Sequence, residues 1–74
     1  GQTFYVIGGS FKNLTNANEH KVIFENQGFE PLIIEEDELF RVALCSFNDK
    51  VNALHELRRI RNQLENDKFW LYAK

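Results

Sequence analysis

The sequence has one cysteine, one proline and four glycines in 74 residues, and no apolar run approaches the roughly 18 to 20 residues of a membrane-spanning helix. A lone Cys45 cannot close an internal disulfide and leaves the redox compartment open; on a strand it reads as a small buried apolar side chain. No secretory signal pattern is present. Nor is there a basic surplus. Nine Lys and Arg stand against eleven Asp and Glu, a net charge of −2, which argues against the basic face of a nucleic-acid or anionic-membrane binder. Catalytic sets are missing too: His20 and His55 fall in no metal-ligand spacing, and there is no phosphate loop, dinucleotide fingerprint or nucleophile elbow. We therefore expect neither an enzyme nor a cofactor. The acidic run Glu35-Glu36-Asp37-Glu38 reads as a solvated hairpin connection, because four consecutive acids lack the spacing and the glycine bend that wrap Ca²⁺.

What is present is an internal duplication. Residues 4–17 and 40–53 both follow Phe-x-Val-x-x-x-Ser-Phe-x-x-x-x-Asn-Ala, 36 positions apart and with six identities in fourteen positions. Each copy passes from apolar alternation through polar turn residues to helix-period apolar residues, so the repeated unit reads as strand, turn, helix, strand. Two units give β-α-β-β-α-β. With 43% hydrophobic residues, seven Phe, one Trp and two Tyr, the chain suits one ordered domain with an aromatic core.

Strand 1 is expected over Thr3 to Gly8, with Gly8-Gly9-Ser10 as a loop rather than a phosphate cradle, since its second copy Leu44-Cys45-Ser46 lacks both glycines. Asn16 is the expected cap of helix 1, with Glu19 completing a capping box and Gly28 as the stop. Its inward stripe is Ala17, His20, Phe24 and either Val22 or Ile23. Strand 2 is expected over Phe29 to Glu35, with Pro31 restricting it to an edge or to the start of pairing. Leu39 to Cys45 forms strand 3. Asn48 or Asp49 caps helix 2, whose stripe is Ala53, Leu57, Ile60 and Leu64, with Arg58, Arg59 and Arg61 mostly outside. Phe69 to Ala73 is strand 4.

Right-handed crossovers place both helices on one face of a four-stranded antiparallel sheet, an α+β sandwich of ferredoxin or RNA-recognition-like topology. Strand alternation then sends Phe4, Val6, Phe40, Val42 and Leu44 under the helices. Tyr5, Ile7, Leu39, Arg41, Ala43 and Cys45 face the open side. With Phe69 and Leu71 inward, Trp70 and Tyr72 join the open face; the opposite parity on strand 4 would put Trp70 in the core. Aromatic rings beside a guanidinium suit sugar rings and a carboxylate, which Arg41 can grip bidentately; stacked bases would suit them too.

Phe4-Tyr5-Val6-Ile7-Gly8-Gly9-Ser10-Phe11, Asn16-Ala17, Gly28-Phe29 and Leu39-Phe40-Arg41-Val42-Ala43 together resemble the SPOR domain, a sporulation-related repeat, over nearly the whole chain. The resemblance implies a non-catalytic peptidoglycan-binding module. Its implied ligand is a glycan strand stripped of stem peptides, and its implied place is the periplasm or cell envelope, enriched at the division septum. It implies further that residues 1–74 are one domain of a longer envelope protein, membrane-anchored or exported. Carried over by position, the family's glycan-contacting sites fall on Ile7, Ser10, Leu39 and Arg41. Here Ile7 replaces a usual glutamine, Leu39 a frequent aromatic, and Cys45-Ser46 a Gly-Pro. Trp70 and Tyr72 are the expected replacement stacking surface, with Tyr5 beside them. Two other readings share the topology: a protein-interaction module, self-associating weakly through the open face, and a single-stranded nucleic-acid binder, which the acidic balance disfavours.

Overall fold

Apolar residues recur at every second position in four segments and at every third or fourth in two, and the chain folds accordingly. The computed structural model describes all 74 residues, Gly1–Lys74. Its elements are β1 (Phe4–Phe11), α1 (Leu14–Asn26), β2 (Leu32–Glu36), β3 (Leu39–Phe47), α2 (Lys50–Leu64) and β4 (Trp70–Ala73). The sheet is antiparallel in the order β2-β3-β1-β4. The expected α+β architecture is the observed one.

Helix starts follow from side-chain oxygens that accept the first free backbone N–H groups. Asp49 caps α2, accepting from Val51 N at 3.4 Å and Asn52 N at 3.3 Å. In α1 the cap is Asn13, not Asn16: Asn13 Oδ1 accepts from Thr15 N at 2.7 Å and Asn16 N at 3.3 Å. Asn13 has the extended backbone a cap requires, so the helix starts three residues earlier than expected. Gly28, at φ +97, follows the helix where a left-handed residue was expected.

One core fills the space between helices and sheet: Val6, Ala17, Phe24, Val42, Leu44, Leu57, Ile60 and Phe69, with Leu64 packed at its margin. Val22 and Ile23 are both exposed, contrary to expectation. Ala17 and Phe24 are the residues of α1 buried against the sheet, and Val22 and Ile23 lie on the solvent side of the same helix. His20 is half-buried, its ring stacked 4.4 Å from that of Phe11, and its Nδ1 donates to Asn16 O. Arg58 and Arg59 point outward, while Arg61 folds back and donates through Nε and Nη2 to Phe69 O, fixing the exit towards β4. β2 is an edge strand that starts one residue after Pro31, so Phe29 packs on the core without joining the sheet.

β1 and β3 run farther than expected. Both continue through the segments read as turns, because each absorbs an extra residue as a bulge. Val6 pairs with Cys45, Ile7 with Ala43 and Gly9 with Val42, so Leu44 and Gly8 have no direct partner. The two bulges are copies of one another. Adding or subtracting 36 turns the pair Tyr5↔Ser46 into Arg41↔Ser10 and Phe4↔Phe47 into Phe40↔Phe11, and Ile7↔Ala43 maps onto itself. The duplicated sequence thus makes a pseudo-twofold pair of central strands, with Ile7 and Ala43 at the pivot.

The β2–β3 hairpin turns on Asp37 and Glu38, at φ +53 and +63. Two left-handed residues are the mark of a type I′ turn, where Asn-Gly is favoured and an L side chain costs roughly 1 to 2 kcal/mol. Glu38→Gly is expected to raise stability by about 1 kcal/mol, read as a higher melting temperature at unchanged secondary structure. A lower melting temperature would contradict the strained turn.

Candidate functional site

The bulges decide what faces away from the helices. In β1, Ile7 points to the open face, and the extra residue at Gly8-Gly9 re-phases the strand so that Ser10 points there too. Without it, Ser10 would share the parity of Val6 and lie under the helices. In β3 the same shift places Leu44 and Cys45 together on the helix side, Cys45 packing on the main core. Cys45 therefore leaves the open face, where simple alternation put it, and Ser46 takes its place opposite Tyr5.

That open face is not flat. Ile7 and Ala43 have no exposed surface, and Ile34 retains 7%; with Tyr5 and Tyr72 packed on them they form a second, smaller core. Bulges bend strands, and two long-range contacts show how strongly the sheet curls here. Arg41 of β3 places its guanidinium carbon 5.4 Å from the ring centres of both Trp70 and Tyr72 of β4, a strand that is not its neighbour. Lys74 Nζ, just past β4 at one edge, lies 3.7 Å from Glu36 Oε2 at the end of β2, the other edge. The face is a trough whose two rims approach one another.

Arg41 is the centre of the trough. Its Nη1 donates to Ser10 Oγ at 3.1 Å, its cross-strand partner, and its Nε is buried with no acceptor. Trp70 and Tyr72 stand edge to face, centroids 6.1 Å apart, and the tilted Tyr5 ring is 6.4 Å from Tyr72. Cation–π contact and the serine together fix a long, otherwise mobile side chain. The result is a planar cation with hydrogen-bond donors to offer, lying over aromatic rings.

Of the residues read from the sequence, the structure thus gathers Tyr5, Ser10, Arg41, Trp70 and Tyr72 around the trough. Trp70, 38% exposed, lies opposite Ile7 and outside the main core, so the alternative parity for β4 does not hold. Ile7 and Ala43 are the floor, with no surface to offer a ligand. Leu39 sits half-buried at the hairpin end, paired with Glu36. With Ile7, Ala43 and Ile34 buried, the large bare apolar patch expected there reduces to Trp70, the rims of the tyrosines and, at the β2 edge, Leu32. Glu36 and Lys74 were not singled out by sequence: one lay in a run read as solvated turn, and the other is a lone cation.

A separate cleft of about 600 Å³ opens on the helix side, lined by Phe29, Leu32, Leu44, Cys45, Glu56 and Arg59 among others. It is not continuous with the trough by residue membership, and its polar wall is self-satisfied: Arg59 bonds both oxygens of Glu56 and the side chain of Gln63. The guanidinium holds Glu56 below the usual carboxylate range. Burial, then the Glu56 charge, pushes the Cys45 thiol from 9.0 up to about 11, with Arg59 opposing. Alkylation of Cys45 at pH 8 is expected to run about 100-fold slower in the folded chain than in urea, since only the thiolate reacts. A similar rate in both would contradict the raised thiol pKa of this half-buried residue. Because the folded state holds the proton more tightly, this thiol's stabilising contribution is complete below pH 9.0 and is lost as the pH rises towards about 11.

A solved structure shares the fold. The solution structure of the peptidoglycan binding domain of the B. subtilis cell wall lytic enzyme CwlC superimposes with a TM-score of 0.76 at 24% identity, over all of this chain and 91% of that one. No curated protein matches the chain. The family model for the SPOR domain matches residues 1–72, that is both repeats, both bulges and the whole trough up to Tyr72. The chain belongs to the SPOR domain family.

Proposed function

We propose that this domain is a non-catalytic peptidoglycan-binding module that reads glycan strands lacking stem peptides along the trough. The observation that carries the reading is Arg41, held by Ser10 against Trp70 and Tyr72. Amidase removal of the stem peptide uncovers the lactyl carboxylate of each muramic acid, an anion that a guanidinium binds through charge-assisted hydrogen bonds. The C–H faces of the adjoining sugars pack on Trp70 and on the rims of Tyr5 and Tyr72. Ser10 orients the cation, and Ile7 and Ala43 hold the floor rigid. Membership of the SPOR family supports this reading, as does the likeness to a domain described as peptidoglycan binding in CwlC.

A protein that carries such a module would collect wherever stripped glycan accumulates, which places its parent in the cell envelope and at the division septum. The test is co-sedimentation with purified sacculi before and after amidase treatment. Binding that rises after treatment supports the reading. Equal binding to both preparations would remove the specificity for stripped strands, and no binding to either would overturn it.

A further inference from the structure

The ion pair that spans the trough carries an inference that rests on the reading above and deepens it. Glu36 and Lys74 lie at opposite edges of the sheet, yet both side chains turn to the same face: Glu36 two residues beyond Ile34 on β2, Lys74 two beyond Tyr72. Backbone hydrogen bonds of 2.9 Å in both directions between Thr3 and Lys74 prolong the sheet to this residue, so its side chain is aimed by the strand. Their 3.7 Å contact links the two outer strands across the open face. Arg41 is in contact with Tyr72, and Lys74 is the next residue outward on that face.

We propose that Lys74 is a second carboxylate-binding cation of the trough, and that Glu36 is an internal carboxylate occupying it until a ligand carboxylate takes its place. A glycan strand presents a lactyl carboxylate on every second sugar, so a strand gripped at Arg41 carries further anions along the trough. One of them that takes the position of Glu36 beside Lys74 displaces it, and Glu36 then turns outward to solvent. Both partners are half-exposed, with side-chain exposures of 53% for Lys74 and 31% for Glu36; the exchange therefore needs no rearrangement of the backbone. The pair contributes selectivity more than strength: a neutral sugar chain offers nothing in return for the broken contact, whereas an anionic one does.

The test compares wild type with Glu36→Gln, Lys74→Gln and the double variant, by calorimetric titration with amidase-stripped glycan fragments and with an oligosaccharide of N-acetylglucosamine alone. Removing the competing carboxylate is expected to tighten binding to stripped glycan by about two- to fivefold, the range a half-exposed ion pair spans. Lys74→Gln is expected to weaken it by a similar factor, and the double variant to match Lys74→Gln. The neutral oligosaccharide gains no preference in any variant. If Glu36→Gln tightens binding equally when Lys74 is absent, Glu36 acts by plain repulsion and the exchange is overturned. Wild-type binding left unchanged by both single variants overturns it as well, with the glycan reading intact. Wild type that binds neither ligand removes that reading and this one with it.

Discussion

Gly8→Ala is expected to destabilise the domain by about 1 to 3 kcal/mol, and Gly8→Val by more. A methyl group at this position would overlap Leu44 Cδ1 and lie 2.7 and 2.8 Å from two ring carbons of Phe24. Neither neighbour can retreat: Leu44 is 1% exposed and Phe24 6%, both in the main core. The cost is steric, since Gly8 has no left-handed backbone to lose. For a chain of this size a loss of 1 kcal/mol lowers the melting temperature by about 4 to 8 °C. The effect extends to function, because the bulge at Gly8 is what turns Ser10 towards Arg41. Gly8→Ala is therefore expected to weaken ligand binding even below its melting temperature, and a variant with wild-type stability would refute the close packing of bulge and helix.

Arg41→Ala is expected to lower affinity for stripped glycan at least tenfold while leaving the secondary structure in place. Removing a charge-assisted pair typically costs about 1.5 to 3 kcal/mol, and a tenfold change in affinity corresponds to about 1.4. Arg41→Lys is the informative companion. It keeps the charge but loses the plane that lies against Trp70 and Tyr72 and the fork that meets a carboxylate, so it is expected to fall between wild type and alanine. A lysine variant with full affinity would reduce Arg41 to a simple positive charge. Tryptophan fluorescence supplies a second readout, because Trp70 is the sole tryptophan and contacts the guanidinium directly.

The fold was legible because the duplication is nearly literal. Helical spacing of Ala53, Leu57, Ile60 and Leu64 and alternation around Val6 and Val42 define the elements without tertiary knowledge. The cap of α1 is legible only in the register of the duplication: Asp49, a cap candidate in the second copy, maps 36 residues back onto Asn13, not onto Asn16. A local capping-box pattern outweighed the register of the repeat. The strand ends at Phe11 and Phe47 were lost to the same cause that moved Cys45. Two adjacent glycines signal a turn as readily as a bulge, and a bulge reverses every face assignment beyond it. Alternation therefore holds for Tyr5, Ile7, Arg41 and Ala43, which precede the extra residue in their strands, and fails for Cys45, which follows it.

The composition of the site was legible and its shape was not. Tyr5, Arg41, Trp70 and Tyr72 lie on the open face as alternation requires. Curling of the sheet is a property of the paired bulges in three dimensions, and it is what buries Ile7 and Ala43 and brings Arg41 across a strand to Tyr72. A face judged residue by residue looks like an exposed apolar patch; bent at Ile7 and Ala43, it is a small core with Arg41 lying against the aromatic rings beside it. The Glu36–Lys74 contact depends wholly on that bend, since the two residues belong to the outer edges of the sheet.

The most direct test of the trough as the binding surface is a backbone and side-chain NMR titration of the wild-type domain with amidase-stripped glycan fragments. The account predicts shifts concentrated at Ser10, the Arg41 guanidinium, the Trp70 indole and Tyr72, with Glu56, Arg59 and Cys45 in the opposite cleft unmoved. Shifts centred on that cleft with the trough silent would contradict it.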